Sequence, residues 1–262
     1  MEIKMYQVDA FSSELFKGNP AAVCLMKDWL PDHLMLAIAG ENNLAETAFC
    51  KESEDGFELR WFTPEVEIDL CGHATLATSH VLFYEEQKAQ EKIKFSTKMS
   101  GDLTVTQHEG LYTLDFPSRM PSSTGKHDII SRALSMEPLE ILKSRDYVYV
   151  YGTEKEIRQI VPDQKLLATI NDSFTGIIIT APGDNCDFVS RFFTPGASVF
   201  EDPVTGSAHC SLIPYWSKKL NKSDHIAKQL SPRGGELICK EKGDRVEISG
   251  RARTFFKGYL RL

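Results

Sequence analysis

The sequence lacks the spacings from which cofactor and metal sites are most directly read. It contains no Gly-x-Gly-x-x-Gly and no P-loop, so nothing in it asks for a dinucleotide or a nucleoside triphosphate. The six cysteines, Cys24, Cys50, Cys71, Cys186, Cys210 and Cys239, form no Cys-x-x-Cys pair. Their scatter argues against a structural zinc site and a disulfide framework, and buried thiols in a reducing compartment are expected instead. No apolar run approaches the ~20 residues that span a bilayer. The chain opens directly into a strand-like pattern, with no charged segment, apolar stretch and cleavage site of a leader, so a cytoplasmic protein is expected. Positive charge is in deficit: 30 Lys and Arg against 37 Asp and Glu leave a formal net charge of -7. Nucleic acid and anionic membrane are thereby disfavoured as partners, although a local basic pocket remains compatible with the total.

What the chain does contain is a motif written twice. Phe62-Thr63-Pro64 leads through Asp69-Leu70-Cys71 to Gly72-His73-Ala74-Thr75. Phe193-Thr194-Pro195 leads through Glu201-Asp202-Pro203-Val204-Thr205 to Gly206-Ser207-Ala208. The first anchor recurs 131 positions on and the second 134, so the later copy carries a three-residue insertion. Each copy reads as a strand, a tight turn, and a Gly opening an apolar run long enough for a helix. The 262 residues, 42% of them hydrophobic and 26% charged, are enough for two cored domains. We expect the two glycine corners to face each other and form a site.

Periodicity predicts strands at Ile3 to Phe11, Ala21 to Met26, Leu44 to Cys50 and Gly56 to Phe62, with a helix from Pro31-Asp32 to about Gly40. The run from Ala74 to Phe83 is apolar nearly all round, as a buried helix is. A three-strand meander follows, up to Phe116. Pro117 to Lys126, rich in Pro, Ser and Gly, reads as a linker. Beyond it, helical patterns are expected at Ile129 to Leu134, Leu139 to Leu142, Glu154 to Ile160 and Gln164 to Ile170. Strands are expected at Tyr147 to Tyr151, Gly176 to Thr180 and Phe188 to Thr194. A second central helix follows Gly206, and further strands lie within Ile226 to Leu262. Short hairpin-like connections favour an α+β fold of largely antiparallel sheets. The halves divide as residues 1–116 and 117–262, and the last strand could return to either half.

Glu46 is the most informative single residue. In a strand, Leu44, Glu46 and Ala48 share one face and Ala45, Thr47 and Phe49 the other, and neither face reads as solvated. A desolvated carboxylate suits general acid and base work near neutral pH, and an edge Glu paired with an Arg fits the pattern equally well. Gly72-His73 and Gly206-Ser207 begin helices, where free N–H groups and the helix dipole can hold an anion; ordinary capping by Ser207 is the alternative. His73 could donate a hydrogen bond or relay a proton. His80 and His209 are given no role. Asp202 could cap its turn or orient a substrate, and Glu201 is taken as solvated. Cys71, ahead of a helix, could be an activated thiol. Arg233 could bind a carboxylate or form a loop salt bridge.

Gly18-Asn19-Pro20-Ala21-Ala22-Val23, Glu46-Thr47-Ala48-Phe49, Arg60-Trp61-Phe62-Thr63-Pro64, Leu70 to Thr75, Glu201 to Ala208 and Ser231-Pro232-Arg233-Gly234-Gly235-Glu236 together resemble the phenazine-biosynthesis PhzF-like isomerase family. The motifs occur in the family's order over nearly the whole chain. The resemblance implies a diaminopimelate epimerase-like fold, with two pseudo-symmetric domains, each a mostly antiparallel barrel-like sheet around a central helix. It places the family's Glu on Glu46, its His on His73, and its Asp and Ser on Asp202 and Ser207. Together with the glycine corners, this leads us to expect catalytic roles for Glu46, His73 and Asp202 and substrate binding at Gly72, Gly206 and Ser207. It further implies no metal or organic cofactor and a homodimer; the substrate does not carry over, and the glycine corners suggest a small carboxylated one. Related epimerases use two cysteines, and Cys71 lies near one of those positions. The function expected is a cofactor-independent isomerase moving a proton on a carboxylated, cyclic metabolite. The alternatives are an amino-acid racemase or epimerase using Cys71, and a non-catalytic binding protein.

Overall fold

A computed structural model describes residues 1–170, 176–195, 197 and 199–262. The chain folds into two compact units, Met1–Asp115 with Ile248–Leu262, and Phe116–Glu247. The insertion of the second motif copy runs partly outside the described residues. Among the described residues, no helix is long and apolar enough to cross a membrane.

The first unit runs β1 (Glu2–Ala10), β2 (Asn19–Met26), α1 (Asp32–Asn42), β3 (Glu46–Ser53), β4 (Gly56–Phe62), β5 (Glu67–Ile68), α2 (Gly72–His80), β6 (Lys92–Thr97), β7 (Gly101–His108) and β8 (Leu111–Pro117). The second runs β9 (Ser122–Ser123), α3 (Asp128–Leu134), β10 (Glu140–Lys143), β11 (Tyr147–Val150), α4 (Glu154–Gln159), α5 (Gln164–Leu167), β12 (Ile177–Pro182), β13 (Phe188–Phe193), β14 (Glu201–Asp202), α6 (Gly206–Leu220), β15 (Asp224–Gln229) and β16 (Gly235–Lys242). β17 (Arg245–Gly250) and β18 (Ala252–Arg261) close the chain, and β18 pairs antiparallel with β1.

The two units share a plan, an α+β arrangement of mostly antiparallel strands around one helix. In the first, β2 and β3 run parallel, as do β4 and β6; in the second, β11 and β12, and β13 and β15, do the same. The remaining pairs around these are antiparallel hairpins. A parallel pair needs a crossover, and α1 and the α4–α5 pair supply it. These helices cover the outer sheet faces. Met35, Ile38 and Ala39 of α1 pack with Phe49 and Phe62, and Ile157 and Leu167 pack with Ile177, Ile179 and Phe193. The inner faces meet α2, whose nine residues are all buried, and α6, which buries Leu212, Ile213 and Trp216. With both faces covered, strand runs such as Ala21 to Cys24 and Ile177 to Ala181 are buried continuously.

Three expectations are corrected. Leu139 to Leu142 is not helical. Glu140–Lys143 forms β10, paired with β11 and β9, because four residues between turns gain more from a ladder than from one helical turn. Pro117 to Lys126 is not a free linker. Its Ser118 N–H donates to Asp244 O, and its Arg119 N–H donates to Cys210 O at 2.8 Å. Pro214 explains the second bond: it lies inside α6 and lacks the N–H that would meet Cys210 O, so an outside donor takes that carbonyl. Asp202, expected in a turn, pairs with Phe192 in the short ladder of β14 and β13.

Candidate active site

The parallel pairing of β2 and β3 decides where the acid lies. Ala21 registers against Glu46, and parallel partners point to the same side. Thr47 and Phe49 turn to the other face: the Thr47 hydroxyl accepts from Asn42 Nδ2 at 3.0 Å, and Phe49 joins the α1 core. Glu46 therefore faces α2. There its Oε2 lies 3.0 Å from His73 Nε2, with the His73 side chain 5% and the Glu46 side chain 16% exposed. On the opposite edge of the ring, Asn19 Nδ2 lies 3.1 Å from His73 Nδ1, and Cys71 Sγ lies 3.5 Å from the same nitrogen.

Cys71 is the residue ahead of α2. A lowered thiol pKa was the expectation there, and the structure reverses it. Burial first, then the Glu46 charge, push the thiol up to about 11. Burial also works against an imidazolium at His73. The Cys71 sulfur and then the Glu46 carboxylate outweigh it and carry the His73 pKa well above the usual range. Glu46, Cys71 and His73 each offer one ligand atom, all within 4.8 Å of one another. This set matches donors that zinc accepts, and no sequence spacing revealed it.

Both corners leave helix N-termini open. Cys71 and Thr205 are the N-caps of α2 and α6, in matching positions, and neither makes a side-chain capping bond. The shorter helices α3, α4 and α5 are capped by His127, Thr153 and Asp163. Ser207 is half-buried and lies inside α6, so it is not the cap. The N–H groups at Gly72–His73 and at Gly206–Ser207 thus suit an anion. In the second corner the Thr205 hydroxyl donates to Asp202 Oδ2. Gln229, fully buried, accepts from Thr205 N–H at 2.9 Å and donates to Asp202 O at 2.7 Å. Ser231 Oγ donates to Pro203 O at 2.9 Å, which ties down the loop that carries Arg233.

Sequence reasoning missed Asn19 and Gln229, and it misjudged Glu201. Glu201 is 16% exposed and takes a bidentate pair from Arg191, at 2.7 and 3.0 Å. Arg60 grips Glu67 in the same way at 2.6 and 2.8 Å, and the two guanidiniums lie over Phe62 and Phe193. Arg60 and Arg191 each stand two positions before the repeated Phe-Thr-Pro, so the repeat carried the signal. His80 and His209, given no role above, are buried core histidines. His80 meets Tyr112 Oη and Thr254 Oγ1, His209 meets Thr205 O, and burial lowers both pKa values to about 4.

The repeat is unequal at the acid. Thr47 lies opposite Phe62 and Ile177 opposite Phe193, so the counterpart of Glu46 is Gly176. A Cβ there would lie 2.3 Å from the Phe192 ring and 2.7 Å from Asp146 Oδ1. The counterpart of Cys71 is Thr205.

The chain matches the family described as phenazine biosynthesis-like protein, PhzC-PhzF, over residues 8–258. It is 47% identical to a Pseudomonas aeruginosa protein called an uncharacterized isomerase, covering all of both chains. A crystal structure of a PhzF-family phenazine biosynthesis protein from Enterococcus faecalis superimposes with a TM-score of 0.95, at 48% identity over all of both chains. A hydroxyproline epimerase from Agrobacterium vitis shares the fold alone, with a TM-score of 0.63 and 8% identity over 99% of this chain and 91% of that one.

Proposed function

Since the chain belongs to the phenazine biosynthesis-like PhzC-PhzF family and is an isomerase, we propose that Glu46 moves a proton on a small, carboxylated, cyclic metabolite without a metal or organic cofactor. Glu46 takes a proton from a carbon next to an electron-withdrawing group. The electron pair shifts through the adjacent π system, and the same carboxylic acid returns a proton at a second carbon, so no atom is gained or lost. His73 lies against the carboxylate and steadies it. Gly72 offers its N–H to the substrate's carboxylate, and Gly206 and Ser207, with Asp202 bonded to the N-cap Thr205, form the corresponding anion-binding corner of the second unit. The observation that carries this reading is the unequal repeat, which has one acid in strand β3 and a glycine in its place in the other unit. A single residue that both takes and returns the proton fits that inequality.

A metabolite extract incubated in D2O with enzyme identifies the substrate as a compound that gains deuterium only when enzyme is present. With that compound, Glu46→Gln should retain binding and lose exchange by about 100-fold or more. Normal exchange in this variant ends the mechanism.

A further inference from the structure

Thr205 is of a residue type that caps helices, and it does not cap the helix it precedes. Thr153 shows the ordinary outcome in the same unit. With extended backbone at φ -144° and ψ 151°, its hydroxyl accepts from the Glu156 N–H at 3.3 Å, at the start of α4. Thr205 has comparable backbone, φ -112° and ψ 101°, yet makes no side-chain bond to α6. The difference lies in where each hydroxyl sends its proton. Thr153 donates to Glu156 Oε2 at 2.8 Å, and Glu156 lies inside α4, so the donation draws the side chain toward its helix. Thr205 donates to Asp202 Oδ2, and Asp202 lies ahead of α6, so the same kind of donation draws the side chain away.

Gln229 completes the arrangement. It is the last residue of β15, fully buried, beside Ser190 of β13. Its Oε1 accepts from the Thr205 N–H at 2.9 Å. Its Nε2 donates to Asp202 O at 2.7 Å and to Thr205 Oγ1 at 3.1 Å. A backbone N–H only donates and a backbone carbonyl only accepts, so these partners fix which end of the amide is which. The direction of the next bond follows: Thr205 Oγ1 accepts from Gln229 and gives its one proton to Asp202. His209 Nδ1 donates to Thr205 O at 2.8 Å. The N–H, the carbonyl and the hydroxyl of Thr205 are therefore all held.

Resting on the reading of the second corner as anion-binding, we propose that Gln229 is a positioning residue: with Asp202 it holds the Thr205 hydroxyl off the start of α6, so that the N–H groups of Ser207 and Ala208 stay open to a carboxylate. Gln229 is buried and acts only through its neighbours. A leucine in its place gives up every one of its bonds. The hydroxyl then turns to the helix, and the cap it forms competes with the ligand. Removing the hydroxyl as well removes the competitor. A second change in the same network thus restores what the first one lost, which a residue needed only for packing would not show.

Benzoate, a small cyclic carboxylate, serves as the probe. The amide 1H–15N shifts of Ser207 and Ala208 in the full-length protein are followed as it is added. In the wild type both should move and saturate. Gln229→Leu should raise the dissociation constant about fivefold, the worth of one capping bond. Combining Gln229→Leu with Thr205→Val should return it to within about twofold of wild type. The Trp216 indole, which donates to Thr180 Oγ1 at 3.0 Å, reports in each variant that the second unit is folded. If Gln229→Leu does not fold, Gln229→Met, of nearly the same length and without a donor, takes its place. Failure of both to fold would show that Gln229 holds the fold rather than the corner, and overturns the proposal. Unchanged affinity in the folded single variant also overturns it, as does a double variant that binds no better than the single one. In those two cases the anion-binding corner stands. If neither amide moves in the wild type, the corner reading and the proposal fall together, and proton transfer by Glu46 is untouched. Conversely, normal exchange in Glu46→Gln ends the isomerase mechanism and leaves the benzoate result as it is.

Discussion

At the scale of single residues, burial decides the state of the Cys71 thiol. Cys71 begins a helix, which by itself favours a thiolate. Burial and the nearby Glu46 carboxylate act the other way and push the thiol up to about 11, so it carries a proton near neutral pH. Its counterpart in the second unit is Thr205, which offers no second thiol. Cys71→Ala should therefore keep solvent-deuterium exchange within about threefold of wild type, because no thiolate supplies the general-base effect that is worth ~100-fold or more. Loss of exchange in that variant would restore the two-base epimerase alternative. Glu46 was legible in the sequence because both faces of its strand are apolar. Asn19 was not, because a Gly-Asn-Pro triplet is adequately explained as a turn. Only the return of β2 alongside β3 shows that the turn delivers a side chain to His73.

At the scale of elements, the repeated unit is larger than the glycine corner. In each copy a hairpin closes on Thr N–H to carbonyl bonds, Thr63 to Val66 and Thr194 to Phe200. An Arg–Glu pair then crosses the hairpin, with the guanidinium over the repeated Phe. These clamps hold the strand that leads into each central helix. Their side chains are at most 16% exposed, so the pairs are screened little, and removing one partner costs the other its bidentate, charge-assisted bonds. Glu201→Gln and Glu67→Gln should each destabilise by about 1–3 kcal/mol in chemical denaturation. A double change of Arg191 and Glu201 should cost clearly less than the sum of the single changes. Additive costs would show that the clamp is decorative. Glu201 could not be judged from its neighbours in sequence, because its partner lies across the hairpin on β13. Glu140–Lys143 misleads for a related reason: its apolar spacing suits a helix, and its pairing with β11 decides for a strand.

At the scale of the whole molecule, the buried histidines set an acid limit on stability. His80 and His209 have folded pKa values lowered to about 4 by burial, below the ~6.5 of an exposed ring. Below that value the unfolded chain binds protons that the native state refuses, so stability is lost as pH falls from about 6.5 to about 4 and levels off beneath. Each ring should cost roughly 2 kcal/mol by pH 5 relative to pH 7. Urea unfolding at the two pH values measures it, and equal stabilities would mean that these rings are not held neutral.

The pattern of residues along the chain was sufficient for the family, the duplicated plan and the two enclosed helices. Each of these is written locally, in periodicity, turn chemistry and a repeat. Tertiary structure alone decided which groups meet Glu46, the state of the Cys71 thiol, the pairing of Glu201 and the return of the final strand to β1. Those depend on strand register and on burial. Both arise from contacts between residues far apart in the chain, and no local spacing encodes them.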